Sequence, residues 1–134
     1  NLPADFDSLG SRLDNAALLD QVGVTVMFSS GETHNARKIR QVAGNAVANG
    51  LPHKVAIKAM TTTPAKIFGG ESRLATVGAQ ADLVVWSGDP LDVTSLAEAV
   101  VMGGIPDSMT SRQTQLRDRY LPEQNDLPRS YIKP

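Results

Sequence analysis

The chain is organised around residues 23–37, which read GVTVMFSSGETHNAR. The apolar run Val24–Phe28 contains one polar residue, Thr25, and this pattern predicts a strand that is buried on both faces. A polar loop, residues 29–35, follows the run, and a helix is expected directly after the loop. In parallel α/β folds the loop at the carboxyl end of a strand carries the chemistry. Residues 29–35 are therefore the first candidates for a functional site.

Helices are predicted on both sides of this stretch, because apolar residues recur there three and four positions apart. Gly23 occupies the position where the first helix needs a left-handed residue to end. Thr63 is expected to cap the fourth of these helices, with Pro64 at its first position. On the second helix, Arg40 is expected on the solvent side, together with Arg37 and Lys38. The predicted helices span residues 8–22, 35–49, 52–60 and 64–68.

The pattern changes after Gly70, where short apolar runs alternate with turn residues. Leu83–Trp86 and Ala97–Met102 predict strands of the antiparallel type. Asp82 and Asp89 stand next to turn residues, so a turn role is favoured over metal binding for both carboxylates.

The last part of the chain predicts one helix and a tail. Ser111 is expected to cap a helix that runs to Tyr120, and its mixed charges are typical of a solvated face. The tail contains Pro122, Pro128 and Pro134 and is expected to be extended or disordered. His53, at the start of the third helix, is interpreted as a surface residue, and Trp86 as a packed one.

Length, charge and composition limit the classes of protein to which this chain can belong. The 134 residues suit one domain, and a net charge of −1 without a basic block argues against a nucleic-acid partner. There is no cysteine, so disulfides and thiolate metal sites are excluded. No apolar run approaches the roughly 20 residues of a membrane span, and no signal peptide is seen. We expect a soluble protein without a membrane partner, cytoplasmic, or periplasmic or secreted if an upstream signal was removed.

A single buried strand cannot build a parallel sheet by itself. Two alternatives follow: an unusual small fold, or a C-terminal piece of something larger, and the need of the apolar run for neighbours favours the second. The expected organisation is a helix–strand–helix unit over residues 1–70, antiparallel strands over 71–110, and a helix with a tail over 111–134.

Four motifs in sequence order then suggest a family. Together they resemble the C-terminal end of metal-dependent amidohydrolases of the imidazolonepropionase type, and the resemblance covers about residues 16–105. The motifs are TPAKIFG at 63–69, GAQADLVVW at 78–86, SGDPL at 87–91 and VVMGG at 100–104.

The resemblance implies a fold and an activity. The fold would be the C-terminal piece of a (β/α)8 TIM barrel, together with strands of a small flanking β-sandwich domain. The activity would be hydrolysis of non-peptide or peptide-like C–N bonds in a small-molecule substrate. In this family one or two divalent metals, zinc or similar, lower the pKa of a bound water. The usual metal ligands would lie upstream, so no metal is expected in this chain alone. Its partners would be the rest of the barrel and, in a homo-oligomer, further copies.

The resemblance also marks one departure at the candidate site. The family places an Asp at the end of the last strand, and that position falls here at Ser30 or Gly31. Glu32 is the candidate to replace it as general base, and His34 is the second candidate catalytic residue. Ser30 and Arg37 are candidates for substrate binding, Arg37 through a bidentate pair with a carboxylate.

Less specific interpretations of these residues remain open. Glu32 also suits a solvated acid near a helix N-terminus, and His34 a loop residue or cap. Arg37 also suits a solvated helix face. For the whole protein, the alternatives to a hydrolase are a non-catalytic binding or structural protein of the same architecture and an independent small α/β binding domain.

Overall fold

The computed structural model describes residues Phe6, 9–30, 33–70 and 76–121, without the side chain of Asn35. Within these residues the fold is α/β, with a small three-stranded sheet after a series of helices. No helix of the described part is both long and apolar enough to cross a membrane. The expected tail beyond Leu121 lies outside the described residues. The elements are α1 (Asn15–Gln21), a 3₁₀ segment (Thr33–Lys38), α2 (Ile39–Ala48), α3 (His53–Met60), α4 (Thr62–Ile67), β1 (Leu83–Trp86), β2 (Ala97–Met102), β3 (Ile105–Pro106) and α5 (Arg112–Tyr120).

The apolar run Val24–Phe28 forms no strand in the described part of the chain, so the predicted buried strand is wrong here. Val24 is 47% exposed and Thr25 is exposed, whereas Val26–Phe28 are half-buried. A strand exists only where a neighbour completes its backbone hydrogen bonds. The run instead contacts a helix, where the Phe28 N–H donates to the Ala59 carbonyl at 3.5 Å.

Helix α1 is shorter than the predicted range 8–22, because it begins only at Asn15. Asp14 stands at the capping position, but its carboxylate accepts two hydrogen bonds from Arg12, at 2.7 and 2.8 Å, and caps no backbone amide. The hydrogen bond from Arg12 lowers the pKa of Asp14. The predicted role of Gly23 is confirmed, since its φ is 82° and its N–H donates to the Asp20 carbonyl at 2.9 Å.

The helices that follow differ from their predictions mainly at their ends. The predicted helix 35–49 is a 3₁₀ turn that continues directly into α2. Thr63 lies inside α4 and does not cap it, so this prediction is wrong. Thr61 holds the capping position instead, but its hydroxyl donates to the Ile57 carbonyl of α3 at 2.8 Å.

The sheet confirms the predicted strands 83–86 and 97–102 and adds β3, whose position was not predicted. All neighbours are antiparallel in the order β1–β2–β3, with Leu83 opposite Val101. Asp82 accepts the Gly103 N–H at 2.6 Å, so it connects the start of β1 to the β2–β3 turn. Leu83 and Val85 are 40% and 52% exposed, which is unusual for apolar side chains of a strand whose sheet is covered on at least one face.

Helix α5 confirms the predicted cap. Ser111 accepts the Thr114 N–H at 3.1 Å, and the Thr114 side chain accepts the Ser111 N–H at 2.8 Å. This is a reciprocal capping box. Its charged residues are exposed, as expected, and Arg117 pairs with Asp118.

The core lies between the helices and is built largely of alanine. Small side chains allow α1, α2 and α3 to approach closely, and the turn between β1 and β2 contributes Leu91 to the same cluster. A Cβ on Gly44 would stand 2.6 Å from the Leu91 carbonyl oxygen, so glycine is required where α2 meets this turn. The buried cluster contains Ala17, Ala43, Ala46, Leu51, Ala56 and Leu91.

Candidate functional site

Ser29 and Ser30 follow Phe28 outside any helix or strand, and a helical segment begins at Thr33. Ser29 is exposed and Ser30 is half-buried, while Gly31 and Glu32 lie outside the described residues. The described segment resumes at Thr33, the first residue of the 3₁₀ turn. The structure therefore shows the predicted change from loop to helix, but the position of the Glu32 carboxylate remains a prediction from sequence.

His34 and Arg37 are both exposed on the 3₁₀ segment. Side chains three residues apart are eclipsed in a 3₁₀-helix, so these two residues extend from one edge of the segment. An imidazole beside a guanidinium suits a polar or anionic group, because the guanidinium offers a fork of donors that matches a carboxylate. This geometry is compatible with the predicted substrate-binding role of Arg37, and it brings His34 to the same edge.

A concave region of about 330 Å³ is lined by Phe28, by residues of α1 and α2 and by the segment before α1. Its lining does not include Ser30, His34 or Arg37. Of the predicted site residues that are described, His34 and Arg37 are exposed and Ser30 is half-buried. The lining residues are Ser11, Arg12, Leu13, Asn15, Ala16, Phe28, Val42, Asn45, Ala46 and Asn49.

The described residues do not fit a metal site. No group of three or more His, Cys, Asp or Glu side chains converges in this part of the chain. A divalent metal of the zinc type needs three or four protein ligands. The described part of the chain therefore offers no complete set of protein ligands for such a metal.

Arg40 does not lie on the solvent side as predicted, because it is half-buried at the junction of α2 with the sheet. Its guanidinium carbon lies 4.1 Å from the centre of the Trp86 ring. Its Nη1 atom donates to the Pro90 carbonyl at 3.0 Å and to the Ser95 carbonyl at 3.4 Å. Trp86 is half-buried, in agreement with the packed role expected for it.

His53 and Asp89 form a second contact of the helices with the turn after β1. The His53 Nε2 atom lies 2.9 and 3.0 Å from the two carboxylate oxygens of Asp89, although both side chains are about half exposed. Asp89 Oδ1 also accepts the Leu91 N–H at 2.9 Å, which confirms its predicted turn role. These hydrogen bonds, first that from His53 and then that from Leu91, lower the pKa of Asp89.

We expect this pair to make stability depend on pH in the acidic range. The folded-state pKa of Asp89 is depressed, so its stabilisation is present above the unfolded value of about 3.9 and is lost as pH falls through the folded-state value. The effect is small, since the pair is exposed. Asp89→Asn should lower the Tm of the full-length protein at about pH 6 and make little difference at about pH 2.

His53→Asn provides the matched control for that measurement. In this background the Asp89→Asn substitution should lower the Tm less, because the main cause of the pKa shift has been removed. A gap between wild type and Asp89→Asn that stays constant from about pH 6 to about pH 2 would contradict the assignment.

Sequence reasoning missed both contacts because each joins residues far apart in the chain. Arg40 is 50 residues from Pro90, and His53 is 36 residues from Asp89. Arg40 stands next to Ile39 at the edge of the apolar face of α2, and this was the one local signal that it lies near the interior.

Comparison with known proteins finds no matching family model. The amidohydrolase tasK of Hapsidospora irregularis is 32% identical over 98 residues, which are 72% of this chain and 10% of that protein. The crystal structure of an amidohydrolase from Thermotoga maritima MSB8 is similar with a TM-score of 0.62 and 32% identity. That match covers 70% of this chain and 25% of the solved chain, so this chain corresponds to part of a larger fold.

Proposed function

We propose, since this chain belongs to the amidohydrolase superfamily, that it is the C-terminal portion of a hydrolase acting on C–N bonds. The observation that carries the proposal is the similarity to proteins named amidohydrolases at 32% identity in both sequence and structure comparisons. The chain spans only 10% and 25% of these two proteins, so the activity is assigned to the complete protein.

The exposed apolar surface supports the first part of this proposal. The sheet has few buried side chains, and Leu83, Val84 and Val85 of β1 are 40–52% exposed. Val24, at the start of the apolar run, is 47% exposed. Burial of such surface is the main driving force of folding, so the remainder of a barrel and sandwich is the expected cover.

In the proposed reaction one residue of this chain accepts a proton from water, and two others orient the substrate. The Glu32 carboxylate is the group that accepts a proton from the attacking water, because the serine and glycine before it cannot do so at neutral pH. His34 and Arg37 orient the substrate from one edge of the 3₁₀ segment. The proposed substrate is a small molecule with a cyclic amide, amidine, urea or peptide-like C–N bond.

The divalent metal is assigned to the complete protein. The described residues offer no group of three His, Cys, Asp or Glu ligands. The ligands would come from other parts of the protein, and this chain alone should bind zinc only weakly. Tight stoichiometric zinc in the isolated chain would contradict this part of the proposal.

One observation favours a second candidate function. Ser30 or Gly31 stands where the resembling family has an Asp, and neither residue accepts a proton at neutral pH. A protein that keeps the architecture but has lost this carboxylate would serve as a non-catalytic binding or structural protein. The two candidates differ in whether the complete protein holds metal and turns over substrate.

The deciding measurement is the metal content of the full-length protein, purified without chelators, together with a screen of cyclic amides and dipeptides. About one or two equivalents of divalent metal per chain, with turnover of a member of the screen, is the expected result. No metal, even after incubation with excess zinc or manganese, and no turnover would overturn the hydrolase in favour of the non-catalytic protein.

A further inference from the structure

We propose that Arg40 is a positioning residue, which sets the direction of the helical segment carrying His34 and Arg37 by anchoring that segment to the sheet. The proposal rests on the proposed function, because it concerns the same edge of the 3₁₀ segment. Arg40 lies at the second position of α2 and has no part in the predicted chemistry.

Arg40 contacts residues that are distant in the chain. Its guanidinium carbon lies 4.1 Å from the centre of the Trp86 ring. Nη1 donates to the Pro90 carbonyl at 3.0 Å, and both Nη1 and Nη2 donate to the Ser95 carbonyl, at 3.4 and 3.5 Å. Only a planar guanidinium can stack and donate to two carbonyls at once. The stack is half-buried, where a cation–π contact is stronger than at an exposed site.

Helix α2 also approaches the turn after β1 at a second point, Gly44. Gly44 follows Arg40 by about one helical turn, so both residues lie on the same side of α2. A Cβ at Gly44 would stand 2.6 Å from the Leu91 carbonyl, which shows how closely the helix backbone approaches the turn. One anchor would leave the helix free to pivot, whereas two anchors define the direction of its axis.

The helical backbone is continuous from Arg40 to the candidate site. Residues 33–48 are helical without a break, as a 3₁₀ segment followed by α2. His34 precedes Arg40 by six residues. At a rise of about 2 Å per residue this is a lever of about 12 Å, so a rotation of about 10° at the anchor moves His34 by about 2 Å. A displacement of about 1 Å at a reacting group is enough for a hundredfold loss of rate.

The alternative is that Arg40 only holds the sheet in place, without any effect on the 3₁₀ segment. The two cases differ in where the protein loosens when the anchor is removed. Hydrogen–deuterium exchange of the full-length protein separates them, because it measures residues 33–38 and residues 83–96 independently.

The test compares Arg40→Gln, Arg40→Lys and the control Lys38→Gln. Lys38 is exposed and belongs to the same helical segment, so its substitution removes an equal charge without touching the junction. We expect Arg40→Gln to raise the exchange rate of amides 33–38 by about tenfold. Arg40→Lys should raise it as well, since lysine keeps the charge and loses the stacked fork, while Lys38→Gln should leave it near the wild-type rate.

Two results would overturn the positioning role: unchanged exchange at 33–38 with faster exchange at 83–96, or an equal rise along the whole chain. If Arg40→Gln does not fold, Arg40→Lys and Trp86→Phe give the same comparison with milder changes. Exchange requires no substrate, so an inactive wild-type protein overturns the proposed function and leaves this test intact.

Discussion

Glu32→Gln in the complete protein is expected to lower kcat/KM for C–N hydrolysis by about 100- to 10,000-fold, the range that a general base contributes. Glutamine keeps the size of the side chain and cannot accept the proton of the attacking water. The acidic limb of the kcat/KM–pH profile should flatten in the variant, since that limb reports ionisation of the base. The measurement is the pH profile of both proteins on a substrate found in the screen.

Two control variants sharpen this result. Glu98→Gln removes the same charge from an exposed position of β2 and should leave kcat/KM near the wild-type value. Glu32→Asp keeps a carboxylate and withdraws it by one methylene, so it should retain more activity than the glutamine variant. An unchanged rate in Glu32→Gln would remove Glu32 from the mechanism.

Leu51→Ala is expected to lower the free energy of unfolding by about 2–5 kcal/mol, through lost burial and the cavity that remains. Leu51 is 2% exposed and follows α2, where its N–H donates to the Ala46 carbonyl at 3.0 Å. Its buried neighbours include Ala17 and Ala56, whose methyl groups have no rotamers with which to fill a cavity. The loss should therefore approach the upper part of the range, measured by urea unfolding of the full-length protein.

Leu51→Met is the matched control at the same position. Methionine has about the same volume and adapts to irregular space, so its cost should stay below about 1.5 kcal/mol. Equal losses in the alanine and methionine variants would show that the shape of leucine matters more than the volume it fills. A loss below about 1 kcal/mol in Leu51→Ala would contradict the core position of this side chain.

Local patterns were sufficient to predict much of the chain. Strands 83–86 and 97–102, the Ser111 cap and the left-handed residue Gly23 all depend on neighbours within a few positions, and the structure confirms each of them. Helix starts were predicted less well. Asp14 and Thr61 stand at capping positions, yet their side chains bond to Arg12 and to the Ile57 carbonyl instead.

For the candidate site, the sequence predicted the residues and the structure arranged only some of them. His34 and Arg37 share an edge because they are three residues apart in the helical segment 33–38, which is a 3₁₀-helix. Ser30 is half-buried before that segment, and the role of Glu32 remains a prediction. Arg40 was placed on the wrong side of its helix, because the Trp86 ring and the carbonyls that hold it are distant in sequence.

By itself, the sequence determined most of the helices, the strands 83–86 and 97–102 and the motifs that resemble those of amidohydrolases, because these depend on residues close together in the chain. Tertiary structure alone decided that Arg40 and His53 bind the turn after β1, and that the Val24–Phe28 run forms no strand. The physical reason is the same in each case. A half-buried cation, a hydrogen bond between distant side chains and a strand all require partners from distant parts of a chain, and only the folded arrangement brings those partners together.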